Sequence, residues 1–298
     1  MKISVVIPTY NRQDNLKTTL NSFTNQTFSD FELVVADDGS TDGTAEMLKA
    51  LSLPFPIKHC WQKNAGRSAA RNLGTRTALG EIILFVDDHI VPDRELVERH
   101  LACHHKYQGT DLGAVRGRME FIDRPQDAPQ QPGPLSLAAR ISLLLGEQDP
   151  LRFHTGNVSV AKEAWQKVGG FDESIKEYGF EDQEFGYRLK RAGYRIKVEL
   201  AAVGYIFKVP VPREKEYDKA RQAGRCAVLC YKKSPWFGIR AGANPANRLI
   251  FRLLSLGNNW WLRQAETAKD HDRIKYFYFL LGVWEGFNPG SAAARHLP

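Results

Sequence analysis

The sequence predicts an α/β fold on a doubly wound, mainly parallel sheet, with a helical extension at its C-terminal end. Three observations carry this reading. Short continuous apolar runs recur through the first 120 residues, helix-periodic stretches separate them, and polar clusters follow the runs directly. Unbroken apolar runs mark strands buried on both faces, and intervening helices make such strands parallel. In open sheets of this kind ligands bind at the carboxyl ends of the strands, so the polar clusters mark the candidate site.

The elements follow in order. Ile3-Ser4-Val5-Val6-Ile7 reads as the first strand, and Leu16, Leu20 and Phe23 recur at i, i+4, i+7 as a helix face requires. Phe31 to Val35 is the second strand; Ala69, Ala70 and Leu73 repeat the helical spacing more weakly; Ile82 to Val86 is the next strand. Asp123 to Pro134, with Pro125, Pro129, Pro132 and Pro134, reads as an irregular loop. A helix over Leu135 to Leu145, a strand over His154 to Val160, and a helix opening near Glu181 with Phe185 and Leu189 on one face complete this part. There is no internal repeat and no low-complexity tract.

Composition bounds the function. With 298 residues, 43% hydrophobic and 25% charged, and 24 Gly and 15 Pro, the chain has ordinary globular proportions, which excludes disorder, collagen and a disulfide scaffold. The net charge of +7 would suit nucleic acid if it were spread along the chain. It is not: residues 209–298 hold 15 Lys+Arg against 7 Asp+Glu, leaving 26 against 27 before them, and four of the six Trp (Trp236, Trp260, Trp261, Trp284) lie in the same tail. A boundary near Pro210 and Pro212 follows, with no nucleic-acid partner.

Cys60, Cys103, Cys226 and Cys230 are too few and too scattered for a disulfide framework, and the Cys226/Cys230 pair has no second pair to make a zinc site. The opening Met1-Lys2-Ile3-Ser4 lacks a signal peptide's apolar run, and no stretch approaches the roughly 18 apolar residues of a spanning helix. The expected location is the cytoplasm, with peripheral contact at the inner face of the membrane as one reading.

Four segments carry chemistry. Asp37-Asp38-Gly39-Ser40-Thr41-Asp42-Gly43-Thr44 reads in part as a turn and a helix cap, but adjacent carboxylates at a strand end repel unless donors use them. An imide N–H and ribose hydroxyls of a nucleotide are suitable donors. Asp87-Asp88-His89 is either an acidic turn or a cation site. In the second case Asp87 and His89 supply oxygen and nitrogen, a mixture that suits Mn²⁺, whereas Mg²⁺ prefers oxygen alone. Asn64 to Asn72, a Gly-containing turn entering a helix with Arg67 and Arg71, fits phosphate. Glu181-Asp182 at a helix start either complements the dipole or supplies a base, since the same dipole favours the charged form.

In this order and spacing the segments resemble the inverting GT-A-fold glycosyltransferases of family 2, over about residues 2 to 208. The resemblance rests on Ser4 to Asn11, Gln26-Thr27-Phe28, Asp37 to Thr44, Asn64 to Asn72, Gly80 to Asp88, Gly156-Asn157-Val158-Ser159, Gly169 to Glu173 and Glu181 to Glu184. It implies a Rossmann-like catalytic domain over 1–208, with a nucleotide-sugar half to about residue 120 and an acceptor half over 121–208, followed by a basic, Trp-rich helical region over 209–298. It further implies that Thr9 and Asp38 hold the base with Asp37 nearby in the nucleotide site, that Arg71 positions the nucleotide, and that Asp87 meets ribose and metal with His89 as principal metal ligand. The cofactor is then a divalent metal, Mn²⁺ or Mg²⁺. Asp182 would be the general base, Glu181 would contact the acceptor, and Gly156 and Asn157 would line the acceptor side. Many relatives carry a His in a later strand where this chain has Gly204 to Lys208; either a third protein metal ligand is absent here or Lys208 replaces it as a phosphate-facing charge, the second being favoured.

The implied reaction moves a sugar from a nucleotide-diphosphate donor, UDP-sugar favoured, to a glycan or lipid-linked acceptor hydroxyl, as in surface polysaccharide or glycolipid synthesis. The alternative is a nucleotide-sugar-binding protein with a vestigial site. Nucleotidyl transfer would need a Gly-rich basic loop after the first strand, where Pro8-Thr9-Tyr10-Asn11 offers none. In the tail, Arg248, Arg252, Ser255, Asn259 and Arg263 fall on one helical stripe opposite a wide apolar arc, and Arg273-Ile274-Lys275 leads into Tyr276 to Leu281 with similar character. Two readings follow for residues 247–284: a membrane-interface surface, or a helix packed on the catalytic domain.

Overall fold

The computed structural model describes residues 2–289 apart from Gly146 and Ser255, and only the backbone of residues 142 and 256–261. It divides into two compact units. One comprises the chain through Ser174 together with Phe185–Val209; the other comprises Ile175–Glu184 together with the chain from Pro210 onward.

The first unit is one eight-stranded sheet with helices. In chain order the elements are β1 (Ile3–Thr9), α1 (Gln13–Ser22), β2 (Phe31–Asp37), α2 (Thr44–Ala50), β3 (Ile57–Trp61), α3 (Arg67–Thr77), β4 (Ile82–Val86), β5 (Ile90–Pro92) and α4 (Leu96–Lys106). There follow β6 (Leu112–Ile122), α5 (Leu137–Leu145), β7 (Asn157–Ala161), α6 (Lys162–Lys167), α7 (Glu181–Arg191), which belongs to this unit from Phe185 onward, and β8 (Arg195–Phe207). The strand order is β3-β2-β1-β4-β7-β6-β8-β5. β3, β2, β1 and β4 are mutually parallel neighbours, so the topological switch lies between β1 and β4, where such sheets open a crevice for ligands.

The remainder departs from the parallel expectation. β7 runs antiparallel to both β4 and β6, and β5 is antiparallel to β8, so the sheet is mixed. The sequence readily shows β1, β2, β4 and β7, which are buried throughout or nearly so. It conceals β3, a half-exposed strand reading Ile-Lys-His-Cys-Trp, and the long β8, whose Arg195, Lys197 and Glu199 interrupt any apolar run. Leu16, Leu20 and Phe23 are fully buried beneath the sheet with Val5, Ile7 and Leu33, and Phe185 and Leu189 join Phe85, Phe153 and Phe171 in a second core.

The second unit is helical: α8 (Arg213–Lys233), α9 (Pro235–Arg240), α10 (Pro245–Leu254), α11 (Leu256–Thr267) and α12 (His271–Phe287). α8 and α12 cross at glycines. A Cβ on Gly224 would lie 2.1 Å from the Phe279 carbonyl oxygen, and one on Gly282 would lie 1.9 Å from that of Arg221. Close approach at this point brings Glu285 onto Arg221 and Arg225.

Of the expected amphipathic helix over 248–263, the described residues on both sides of Ser255 are helical, and two arginines of its basic stripe make contacts within the unit. Arg248 lies over the Phe287 ring at 4.5 Å and Arg252 over Trp284 at 5.8 Å, cation–π contacts within the unit. Ser255, Asn259, Trp260 and Trp261 lie outside the residues whose side chains are described. The segment around Tyr276 to Leu281 is also largely internal, with Phe277, Leu280 and Leu281 buried. No disulfide joins the four cysteines.

Candidate functional site

Two loops meet at the switch between β1 and β4. Asp88 is buried there: its Oδ2 accepts from the Thr9 hydroxyl at 2.9 Å and its Oδ1 from an Arg12 guanidinium nitrogen at 3.1 Å. Its neighbours behave differently. The side chains of Asp87 and His89 keep 32% and 25% of their exposure, against 6% for Asp88. The middle acid is thus a strut, and the first and third residues of the triplet remain accessible. His89 Nδ1 lies 3.3 Å from Asp88 Oδ1. With the proton on Nδ1 donated to that carboxylate, the Nε2 lone pair is available to a cation.

The acidic string after β2 is engaged by the protein itself. Asp37 accepts from the Ser40 amide at 2.8 Å and faces His59 Nε2 at 3.2 Å. Asp38 accepts from Gln62 Nε2 at 2.7 Å and from the amides of Ala65 and Gly66 at 2.9 Å each. The repulsion that pointed to an external donor is therefore met internally, and a carboxylate with about four lone-pair sites keeps one direction on Asp38. Asp42 accepts from the Gln13 amide at 2.9 Å and from the Thr44 hydroxyl at 2.6 Å. Burial alone would raise its carboxyl, but these hydrogen bonds hold it below its ordinary value. Gly39 is required here: its φ is +88°, and a Cβ would approach the Asn64 nitrogen to 2.8 Å.

On α3, Arg71 is buried with a guanidinium nitrogen 3.5 Å from Asp87 Oδ1 and its Cζ 5.7 Å above the Phe171 ring. Arg67, one turn earlier, is exposed. Asn72 donates to the Phe171 carbonyl at 2.9 Å and accepts from the Phe171 amide at 2.8 Å. The Gly169 to Glu173 motif is thus a tie between α3 and the segment before α7.

Of the three residues expected on the acceptor side, Gly156 borders the triplet. A Cβ there would lie 3.3 Å from Asp87 Oδ2. Asn157 is buried: its Nδ2 donates to the carbonyls of Arg118 and Ala202, and its Oδ1 meets His100 Nε2 at 2.8 Å. Its amide joins strands β6 and β8. His100 Nδ1 and His104 Nε2 converge on Ser159 Oγ at 2.8 and 2.9 Å. Desolvation pushes His100 down to about 4 and His104 to about 3. Sequence reasoning missed this network, although His100 and His104 stand one turn apart on α4.

Glu181 and Asp182 open α7 and belong to the helical unit, whereas the expected boundary at residue 208 keeps them in the acceptor half of the catalytic domain. Glu181 is buried and accepts from the Gly179 amide at 3.2 Å; Asp182 is half-buried. Lys208 forms an ion pair with Asp123.

The donor set can be weighed against a divalent cation. One carboxylate and one imidazole fit Mn²⁺ in type. Among the described residues no group of three or more His, Cys, Asp or Glu converges, so water and diphosphate oxygens would complete the shell.

Residues 4–134 match the profile of glycosyl transferase family 2, and residues 148–210 match that of the N-terminal domain of galactosyltransferase. A validoxylamine A glucosyltransferase from Streptomyces hygroscopicus subsp. jinggangensis is 33% identical over 209 residues, covering 61% of this chain and 50% of that protein. A chondroitin synthase from Escherichia coli is 30% identical over 266 residues, covering 79% of this chain and 39% of its own. The chain thus spans half or less of the length of these relatives. Among solved structures, a mannosyltransferase from Pyrobaculum calidifontis in complex with GDP-Man and Mn²⁺ superposes with a TM-score of 0.63 at 19% identity, covering 97% of this chain and 88% of that one. Residues 1–349 of S. aureus TarS in complex with UDP-GlcNAc give 0.61 at 18%, covering 98% and 93%. These likenesses bear out the GT-A fold.

Proposed function

The chain belongs to glycosyltransferase family 2, and on that premise we propose that it moves a sugar from a nucleotide-diphosphate donor to an acceptor hydroxyl with inversion at the anomeric carbon. The observation that carries the reading is the triplet at the β1/β4 switch, where Asp88 is turned inward by Thr9 and Arg12 while Asp87 and His89 stay accessible. Thr9, Asp37, Asp38 and Arg71 then frame the nucleotide. Asp87 and His89 would hold a divalent cation, Mn²⁺ or Mg²⁺, which when bound neutralises charge on the departing diphosphate.

Asp182 accepts the proton of the acceptor hydroxyl, and the oxygen attacks from the face opposite the nucleotide. Glu181 and Gly156 border the acceptor. UDP is the favoured nucleotide, in keeping with the UDP-GlcNAc of the S. aureus neighbour, while the GDP-Man of the archaeal one marks the competing choice. A place in surface polysaccharide or glycolipid synthesis follows if the acceptor is glycan or lipid-linked.

A panel of nucleoside diphosphates and their sugars, with Mn²⁺ or Mg²⁺, tests the donor by thermal shift. The matching donor should raise Tm in proportion to occupancy, about 2.7 kcal/mol of stabilisation at 100 times Kd. Metal-dependent release of nucleoside diphosphate should accompany it. Binding without release would favour the vestigial, nucleotide-sugar-binding alternative; neither would remove both.

Among the described residues no helix is long and apolar enough to cross a membrane. Peripheral contact draws support from α10, where Leu249 and Leu253, one turn apart, are 58% and 57% exposed beside the exposed Arg252. Co-sedimentation with anionic liposomes should therefore exceed that with neutral ones and fall in Leu249→Ser/Leu253→Ser. Full recovery in the supernatant with both would refute the membrane reading.

A further inference from the structure

The segment that leads into Glu181-Asp182 is gripped residue by residue by α8, within the helical unit. Glu177 takes the Arg225 Nε at 2.8 Å. Tyr178 donates its amide to Gln222 Oε1 at 2.9 Å, and Lys219 lies over its ring at 5.4 Å. Gly179 sits so close that a Cβ would come within 2.9 Å of the Ala223 Cβ. Phe180 packs against the cluster of Ala227 and Val228. Lys219, Gln222, Ala223 and Ala227 recur at three- and four-residue spacing, which is one face of the helix.

The backbone held this way is not one the chain would choose. Gly179 has φ +112° and Phe180 has φ +65°. For a bulky side chain the left-handed region costs about 1–2 kcal/mol. Such a conformation persists only where its surroundings over-determine it, and here α8 does so. Arg225 is itself anchored from the other side: its Nη1 donates to Glu285 of α12 at 2.9 Å, and Arg221 Nε donates to the same carboxylate at 2.9 Å.

We propose that Arg225, together with Gln222 and Ala223, is a positioning element for the candidate base: it pins residues 177–180 so that α7 begins at Glu181 and Asp182 is presented in one orientation. The inference rests on the reading of Asp182 as base. It also gives part of the basic tail a task inside the transferase.

The test uses the full chain and three variants, Glu177→Gln, Arg225→Gln and Arg225→Lys. Amide hydrogen exchange over residues 178–184 should rise about tenfold in Arg225→Gln, since a clamped segment that loses its clamp opens locally. Turnover should fall about 10- to 100-fold, as expected for a misplaced catalytic group, with donor KM nearly unchanged. Arg225→Lys should recover part of both. Glu177→Gln, at a partly exposed position that leaves the Arg225–Glu285 pair intact, should move exchange and turnover the same way with little change in Tm. Unchanged exchange over 178–184 in folded Arg225→Gln and Glu177→Gln overturns the proposal, as does a rise shared equally by α8 and α12. If Asp182→Asn keeps full activity, the base assignment fails separately, and the exchange data alone decide the clamp.

Discussion

Asp182→Asn should lower sugar transfer by about 10²- to 10⁴-fold, the usual range for loss of a general base, while nucleoside diphosphate still raises the melting temperature as it does in the parent. The substitution keeps size and shape while removing the negative charge and the capacity to take a proton. Asp182 is half-buried at the second position of α7, next to the buried Glu181 that accepts the Gly179 amide. Replacing Glu181 should therefore disturb the segment before the helix as well as the acceptor, whereas Asp182→Asn should leave structure alone. Activity assays paired with a thermal shift separate the two. Parallel loss of binding and turnover in Asp182→Asn would overturn its role.

Mild acid should destabilise the sheet unit strongly. His100 and His104 are buried with values pushed down to about 4 and about 3 by desolvation, and both meet Ser159. The unfolded chain titrates them near 6.5, so between that pH and about 4 it binds more protons than the folded chain does. Stability thus rises with pH across this window: it is fully present above about 6.5 and is lost as pH falls. Each histidine removes about 3 kcal/mol by pH 4, which together is a large share of the 5–15 kcal/mol typical of a domain. Thermal melts from pH 7.5 to 4 should show a steep acid limb, shallower in His104→Gln, which keeps a donor for Ser159 without a titrating ring. Coincident limbs for parent and variant would refute the assignment.

Several features were legible before any fold was known. The apolar runs of β1, β2 and β4 are contiguous, and burial on both faces demands contiguity, so their identity and their parallel pairing followed. The strand-end clusters were placed correctly for the same reason: Thr9 and the Asp87-Asp88-His89 triplet meet because β1 and β4 are neighbours in the sheet. The strands β3 and β8 escaped notice because a half-exposed strand carries charged residues that break the pattern.

Roles within a motif were less visible. Adjacent acids look alike in sequence, yet Asp88 is a strut while Asp87 is accessible, and Asp38 clasps the loop from Gln62 to Gly66. Which side a carboxylate faces depends on donors contributed by residues far along the chain. Asn157 shows the same limit, since its partners come from α4, β6 and β8.

What the sequence by itself determined was the parallel half of the sheet and the location of the polar clusters, because hydrophobic periodicity and local spacing encode both, while the family rested on the resemblance of its motifs. Only the tertiary structure decided which acids are engaged and which stay open, and that the approach to Asp182 is held by α8. Those depend on long-range contacts such as Glu177 to Arg225 and Gly179 to Ala223, where a charge pair and a missing Cβ acquire meaning once folding brings them together.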